Sequence, residues 1–357
     1  MALRIASIVL FLLTIAAAYG GRVNPVYFAY PSWLTLALPY LAIATVAITI
    51  IWLCCGKFFT GALGVLTMIA CWEPVTVAVP LHSQVRPEDE NRTFTLLTYN
   101  ILHGIDQMQN RTDSIGFVSQ EGNPAIEFIV NSGADIVNIQ EMTTLDDREI
   151  PNLSDYMDTI RKIYPYIIDN SETDRKVFSK FPVCLVKNTY WYNLYKIKTP
   201  WGGLNLINMH IPSYSLNEDE RQVVKEIVSI KKSEEGLREL KGSVREKLNE
   251  SFKYRVKVVG ELKTMIESTE GPLIVAGDFN DVPESYAYRM VRSTGLEDAY
   301  VQTSFGPAIT YNQHGFLFHL DQIFYRPDPL RALSVTKGKL KSSDHYPLMA
   351  RFEWMKQ

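Results

Sequence analysis

Cysteine is scarce in this chain. There are four in 357 residues; Cys54, Cys55 and Cys71 lie in apolar stretches, and only Cys184 falls in the polar remainder. A lone cysteine there excludes a disulfide framework, and all four read as small buried hydrophobes. An excess of positive charge is also missing: 36 Lys and Arg stand against 39 Asp and Glu, a net charge of −3, with a sequence pI of about 6.1. Domains that hold nucleic acid by charge usually have a pI above about 9. That class is disfavoured, whereas an enzyme that meets phosphate through a metal ion is not. The sequence carries no internal repeat and no low-complexity tract, which argues against solenoids and repeat arrays.

Long hydrophobic runs are present, all near the N-terminus. Residues 5–19 are almost wholly apolar, 33–55 form a longer run, and 58–80 a third with Glu73 inside it. A membrane-spanning helix needs about 20 apolar residues. The first run, with Arg4 ahead and Ala16, Ala17, Ala18 and Gly20 behind, also has the form of a signal peptide. Three closely spaced runs favour three spans, so residues 1–81 are expected to form a transmembrane anchor of an integral, multi-pass protein. Residues 82–92, polar and containing Pro87, are expected to be a linker, and 93–357 a separate domain. With the N-terminus inside, Arg4 and Lys57 are cytoplasmic and Arg22, Arg86 and Arg92 are not, a near tie by the positive-inside rule. Three spans then put the large domain on the extracytoplasmic side. Glu73 is the one ionisable residue within the runs and lies near an end, which favours a plain anchor over a transport pathway.

From Thr93 onward short apolar segments alternate with polar ones. Strands are expected at 94–100, 135–140, 183–187, 190–195, 204–210, 273–277, 320–325 and 346–352, and helices near 123–131, 152–163 and 284–293. Asn123-Pro124 opens the first helix, since proline suits the first turn. Residues 217–269 are dense in Glu, Lys and Arg, with apolar residues at helical spacing, and read as a charged helical insert of two helices or one long broken one. Strands alternating with helices argue for an α/β domain. The absence of regular βαβ repetition favours a layered sandwich over a barrel.

The informative pattern is what stands at the strand ends: Tyr99-Asn100, Gln140-Glu141, Asn208-Met209-His210, Gly277-Asp278-Phe279-Asn280, His319-Leu320-Asp321, and Ser342-Ser343-Asp344-His345-Tyr346-Pro347. Singly each has an ordinary explanation, as a turn residue or a side chain bonded to its own backbone. Together they supply what phosphoryl chemistry needs. Carboxylates hold a hard cation, a carboxylate base activates water, and imidazole or amide donors stabilise a charged phosphorus centre.

This ordered series resembles the endonuclease/exonuclease/phosphatase superfamily over essentially all of residues 93–355. The Gly-Asp-Phe-Asn and Ser-Asp-His-Tyr-Pro elements are specific when they occur together in this order. The resemblance implies a four-layered α/β sandwich with two central mixed sheets, and in-line attack of water on a phosphate ester with Mg2+ or Mn2+. By that resemblance Glu141 is the metal-binding glutamate, Asn100 the asparagine beside metal and phosphate, and Asp344 a second acidic residue near the metal. Asp278 orients or deprotonates the attacking water, and Asn280 contacts phosphate. His345 stabilises the phosphate in the transition state and Asp321 fixes its tautomer. His210, within Asn208-Met209-His210-Ile211-Pro212-Ser213, is similar to the deoxyribonuclease, sphingomyelinase and phosphatase branches and is a candidate to assist the leaving oxygen. Ser179-Lys180-Phe181-Pro182 resembles a lesser family segment. The long 217–269 insert departs from the pattern and makes transfer of any named substrate unsafe, and His319-Leu320-Asp321-Gln322 lacks an inositol-phosphatase signature.

The expected function is therefore a membrane-anchored, divalent-metal-dependent phosphoesterase. Its substrate is a nucleic acid or a phospholipid head group, its other partner is the bilayer, and no obligate protein partner is evident. The alternative is a non-catalytic membrane receptor or scaffold on the same fold. A degenerate copy should have lost at least one of Glu141, Asp278 or His345.

Overall fold

The computed structural model describes residues 1–104, 122–145, 150, 152–211, 213, 236–313, 316–340 and 342–356. Pro212 and the first part of the expected insert, 217–235, lie outside the described residues. The chain divides into two compact units: Met1–Ala78, Pro212–Glu261 and Val282–Met290 in one, and Val79–Ile211, Leu262–Asp281 and Val291–Gln357 in the other.

The first unit opens with five helices: α1 (Ala2–Gly20), α2 (Tyr30–Leu36), α3 (Leu38–Cys54), α4 (Phe58–Ala70) and α5 (Trp72–Ala78). Of these, α1 alone is long and apolar enough to cross a membrane. The pairs α2–α3 and α4–α5 are bent by 66° and 68°, giving up to three spans if each bent pair counts as one. The second and third apolar runs are thus broken where the sequence reads as continuous. Pro39 stands in the first turn of α3, and Pro74 early in α5, each lacking the N–H that would carry a preceding helix onward. The packing is inside-out. Ser7, Thr14, Thr45, Thr49, Thr60 and Thr67 are buried, while Leu12, Ile43, Phe59 and Ile69 are at least 61% exposed. Thr14 and Thr45 share a 2.8 Å hydrogen bond, and Trp52 Nε1 donates to Ser7 Oγ at 2.8 Å. Small and hydroxyl-bearing residues thus stand at these helix contacts, with large apolar ones outside.

The second unit is an α/β sandwich. Its strands are β1 (Thr93–Asn100), β2 (Ile136–Gln140), β3 (Tyr166–Ile168), β4 (Lys176–Ser179), β5 (Val183–Asn188), β6 (Tyr192–Thr199), β7 (Gly202–His210), β8 (Leu273–Asp278), β9 (Glu297–Asp298), β10 (Tyr311–Gln313), β11 (Phe316–Phe318), β12 (Asp321–Tyr325), β13 (Leu330–Lys337) and β14 (Leu348–Trp354). Among the described residues they form two six-stranded sheets, ordered β13-β14-β1-β2-β4-β3 and β5-β6-β7-β8-β12-β9, and a hairpin β10-β11. Each large sheet is mixed. Its one parallel pair lies near the centre, β1 with β2 in the first and β7 with β8 in the second. Apolar residues facing inward from both sheets, among them Phe94, Leu96, Leu206, Ile274, Ile323 and Phe352, fill the space between them.

Helices α6 (Pro124–Asn131) and α7 (Ser154–Ile163) cover the outer face of the first sheet through Ile126, Ile129 and Ile160. Asn123 caps α6 as its sequence anticipates, accepting from the N–H groups of Ala125 and Ile126. The charged region continues as one helix, α8 (Gly236–Ser268), of 33 residues. Its last carbonyls are held by Arg326 beyond β12, through Ile266 O at 3.2 Å and Thr269 O at 2.8 Å, as a cation suits a helix C-terminus. Helix α9 (Tyr286–Arg292) and the short α10 (Ala299–Thr303) follow. The stretch expected as a linker is tied down along its length: His82 N donates to Ser304 O and Val85 N to Leu333 O, and the N–H groups of Glu88 and Asp89 both reach Glu353 Oε1.

Candidate active site

Strand pairing alone gathers most of the polar strand ends. In the first sheet the parallel register sets Asn100 opposite Gln140, so that Glu141 is the next residue out. In the second, His210 stands opposite Asp278 on one side and Asp321 opposite it on the other. Ligand sites in α/β folds form beyond the carboxyl ends of parallel strands, and both parallel pairs end here. Gly277 makes this possible. Its φ is 140°, and a Cβ on it would lie 2.0 Å from Met209 O, so only glycine lets β8 approach β7 this closely.

Beneath the site the two sheets are pinned by buried amides. Gln140 Nε2 donates to Asn208 Oδ1 at 2.7 Å, Asn208 Nδ2 to Ile139 O at 3.0 Å, and Asn138 Nδ2 to Ala276 O at 3.0 Å. Burying amides is favourable only when they are bonded, so these side chains fix the offset between β2 and β7.

Asp278 is the hub. Its Oδ1 accepts the Asn280 backbone N–H at 2.7 Å. Its Oδ2 accepts the side-chain amides of Asn280 and Asn100, both at 3.0 Å. Asn280 adopts a positive φ of 48°, a conformation asparagine tolerates, and anchors itself through Nδ2 to Ile211 O at 2.9 Å. Asn100 also donates to Glu141 Oε1 at 2.9 Å, while its oxygen accepts the Leu102 N–H at 3.1 Å.

Two imidazoles converge on this carboxylate, each held by another. His345 Nδ1 lies 2.8 Å from Asp321 Oδ2, which leaves Nε2 3.5 Å from Asp278 Oδ2. Ser343 sets the ring's segment in place, donating through Oγ to Asn100 O at 2.8 Å and accepting the His345 N–H at 3.1 Å. His210 Nδ1 lies 2.5 Å from Asp174 Oδ2, and its Nε2 is 3.6 Å from Glu141 Oε1 and 3.9 Å from Asp278 Oδ2. A carboxylate on Nδ1 fixes the tautomer and aims Nε2.

Burial opposes charge on both rings, but the surrounding carboxylates outweigh it. Asp321 and Asp278 hold His345 well above the ordinary histidine value, and the bond to Asp174 leads in raising His210. Burial pushes the Asp278 carboxyl up, with Asp321 adding to it and the two histidines opposing it. Burial likewise raises Asp344, and the charges of Glu141 and Asp278 add to it. Donor atoms of Glu141, His210 and Asp278, and separately of Asp278, Asp321 and His345, lie within 4.8 Å of one another, close enough to share a cation.

The model of the Endonuclease/Exonuclease/phosphatase family matches residues 97–345, about seven tenths of the chain. The chain belongs to this family. Residues 2–78 match a separate domain of unknown function, DUF8431. No curated protein matches the chain. Among solved structures it is similar to an endonuclease/exonuclease/phosphatase from Beutenbergia cavernae, with TM-score 0.45, 12% identity, and coverage of 74% of this chain and 72% of that one. It is similar to the human Nocturnin catalytic domain with bound sulfate, with TM-score 0.45, 18% identity and 74% and 95% coverage. It is also similar to a Staphylococcus aureus beta toxin mutant with bound magnesium ions, with TM-score 0.40, 13% identity and 74% and 99% coverage.

Seven of the eight residues singled out in the sequence meet directly in this family's sandwich: Asn100, Glu141, His210, Asp278, Asn280, Asp321 and His345. Asp344 stands outside both candidate cation groups among the described residues, with Oδ1 3.3 Å from Ser343 Oγ, although the charges of Glu141 and Asp278 reach it. Lys180 is elsewhere, paired at 3.0 Å with Asp135, ahead of β2 rather than beyond its end. Sequence reasoning missed Asp174. It sits in a polar loop before β4, a strand that itself escaped notice because it opens with charge, at the buried Lys176. Nothing local marks Asp174 as different from Asp169 five residues earlier.

Proposed function

We propose that the second unit hydrolyses a phosphate ester by activated water with the aid of a divalent cation, Mg2+ or Mn2+. The observation that carries this reading is the convergence of two carboxylate-held imidazoles and two amides on the single buried carboxylate of Asp278. The donor set suits a hard cation. Oxygens of Glu141 and Asp278 lie with His210 within 4.8 Å of one another, and the charges of both reach Asp344, a surplus of negative charge that Mg2+ would offset. Glu141 would hold the ion, with Asp344 adding its charge from outside the group of donor atoms; the ion would neutralise phosphate charge and lower the barrier to attack. Asn100, expected as a ligand, gives its amide N–H groups to Glu141 and Asp278 in this geometry. We take it to orient those two carboxylates.

The rest of the chemistry belongs to the chain. Asp278, held by three donors, accepts the proton of the attacking water. His345, kept charged by Asp321 and Asp278, donates from Nε2 to a phosphoryl oxygen. Asn280, expected to contact phosphate, gives its amide N–H groups to Asp278 and Ile211 in this geometry and holds that carboxylate in place. His210, oriented by Asp174, delivers a proton from Nε2 to the leaving oxygen. The inside-out helices of the first unit support attachment to a bilayer, with up to three spans; the extracytoplasmic side for the catalytic unit rests on the positive-inside count alone. A C-terminal reporter active only in the cytoplasm would sink that side assignment.

The test is hydrolysis by the full-length protein in detergent with magnesium, on plasmid DNA, RNA, sphingomyelin and bis(p-nitrophenyl) phosphate. Magnesium-dependent turnover that disappears in Asp278→Ala is the expected result, and the best substrate decides between nucleic acid and lipid. Turnover that survives in the variant would overturn the assignment.

A further inference from the structure

Arg175 is buried to 1% exposure and follows directly on the carboxylate that holds His210. Its guanidinium is spread over three directions. Nη1 meets Asp174 Oδ1 at 2.8 Å, Nε donates to Asn193 Oδ1 at 3.1 Å, and Nη2 to Thr189 O at 2.9 Å. Asn193 is itself buried at the start of β6 and fixed by Nδ2 donation to Thr173 Oγ1 and Tyr195 Oη. Thr189 begins the turn into that strand, its Oγ1 accepting the Tyr192 N–H at 3.0 Å. Between them, the Trp191 carbonyl accepts the backbone N–H of His210 at 2.9 Å. Arg175 therefore grips both things that locate the His210 ring: the carboxylate on its Nδ1 and the turn bonded to its backbone. The Asp174 carbonyl meanwhile holds the N–H of Met142, the residue after Glu141, at 2.8 Å.

A buried guanidinium is an expensive way to stabilise a fold. Its desolvation is often not recovered by pairing, and apolar replacements of such groups can be neutral or better. What a planar five-donor fork supplies that an apolar side chain does not is direction. Asp174 has only one oxygen on His210. With its other oxygen pinned to Arg175, the carboxylate cannot rotate, and the imidazole plane is set.

We propose that Arg175 is a positioning residue for proton delivery to the leaving oxygen, acting through Asp174 and the Thr189–Asn193 turn on His210. This rests on the reading of His210 as the acid given above. An acid that protonates the leaving group matters for an alkoxide and little for p-nitrophenolate, which departs without a proton. Misaligning the acid therefore separates the two ester classes, whereas general structural damage lowers both alike.

The experiment compares turnover by the full-length protein of bis(p-nitrophenyl) phosphate with that of an alkyl ester, DNA or sphingomyelin, whichever is hydrolysed. The proteins are unaltered, His210→Ala, Arg175→Met and Arg175→Lys, each checked for folding by thermal melting. His210→Ala is expected to lose on the order of 10²-fold on the alkyl ester and only a few-fold on the aryl ester. Arg175→Met should show the same divergence at about one tenth of its size, with partial rescue by Arg175→Lys, which keeps the charge but not the fork. Should Arg175→Met fail to fold, Arg175→Lys is read on the same ratio. Equal loss on both esters in the Arg175 variants, with divergence in His210→Ala, overturns the inference alone. No divergence in His210→Ala removes the acid reading instead, and no turnover by the unaltered protein removes the hydrolase reading.

Discussion

Asp278 and Asp321 face each other across the antiparallel pair of β8 and β12, yet one imidazole serves both in different ways. His345 Nδ1 lies at hydrogen-bond distance from Asp321, 2.8 Å, while Nε2 points toward Asp278 at 3.5 Å. Asp321 is thus placed to hold the ring, and Asp278 to share the space in which a phosphoryl group would react.

That difference gives an ordering of effects. Asp278→Ala and His345→Ala are each expected to lower turnover by about 10²-fold or more, the scale of a lost base or charge-stabilising donor, in proteins that remain folded. Asp321→Asn should cost less than His345→Ala, because it alters the ring's orientation and leaves the ring in place. Steady-state rates on the best substrate of the panel check the order; full turnover in either alanine variant refutes the assignment.

Asp174 should behave as one unit with His210. Asp174→Asn and His210→Ala are expected to lower turnover of an alkyl ester together, and the double variant to be no slower than His210→Ala alone, since residues that act together are strongly non-additive. A double variant slower by the product of the single effects would separate them.

Cation binding is measurable without activity. Magnesium is expected to raise the melting temperature of the full-length protein, by mass action on the folded state, with about 2.7 kcal/mol of stabilisation at a hundred times the dissociation constant. EDTA should reverse the shift, and Glu141→Gln should abolish most of it. An undiminished shift in that variant would move the ion away from Glu141.

A pH effect on stability is expected from a histidine outside the reacting cluster. Burial pushes His319 down from 6.5 to about 4, and its ring packs edge-on against Tyr300 at 5.1 Å. Between pH 6.5 and 4 the unfolded chain binds a proton that the folded chain refuses, so this residue makes stability fall as pH drops through that window. The slope is at most about 1.4 kcal/mol per pH unit. His319→Phe should flatten the fall in melting temperature between pH 6.5 and 4.5, and an unchanged profile would show that His319 does not carry it.

Gly277→Ala is expected to be severe, because the new Cβ has only backbone to meet, Met209 O at 2.0 Å. A loss of roughly 3 kcal/mol or more, the range of strained or overpacked backbone sites, should appear in the melting temperature before any kinetic defect is measured.

Sequence by itself determined the kinds of elements and the chemistry at their ends. Short apolar runs bounded by polar residues reported strands such as β1, β7 and β8, which are buried along most of their length and so read as central strands from their composition alone. The Gly-Asp-Phe-Asn and Ser-Asp-His-Tyr-Pro elements reported the family. Where a strand was short or opened with charge, as with β3 and β4, the local pattern was too weak to read, and β13 was passed over despite its apolar Leu330, Ala332, Leu333 and Val335. The resemblance paired Asp321 with His345, but that Asp174 holds His210 was not legible, and neither distance could be read from the sequence. Asp321 with His345 and Asp174 with His210 are separated by 24 and 36 residues, and their pairing follows from strand register and from the amide pins between the sheets. Likewise the apolar runs were visible, but the breaks at α2–α3 and α4–α5 and the burial of Thr14, Thr45 and Thr60 while Leu12 and Ile43 stay exposed came only with helix packing. Tertiary structure decided these points because distances between segments are set by non-local contacts, which one-dimensional periodicity does not contain.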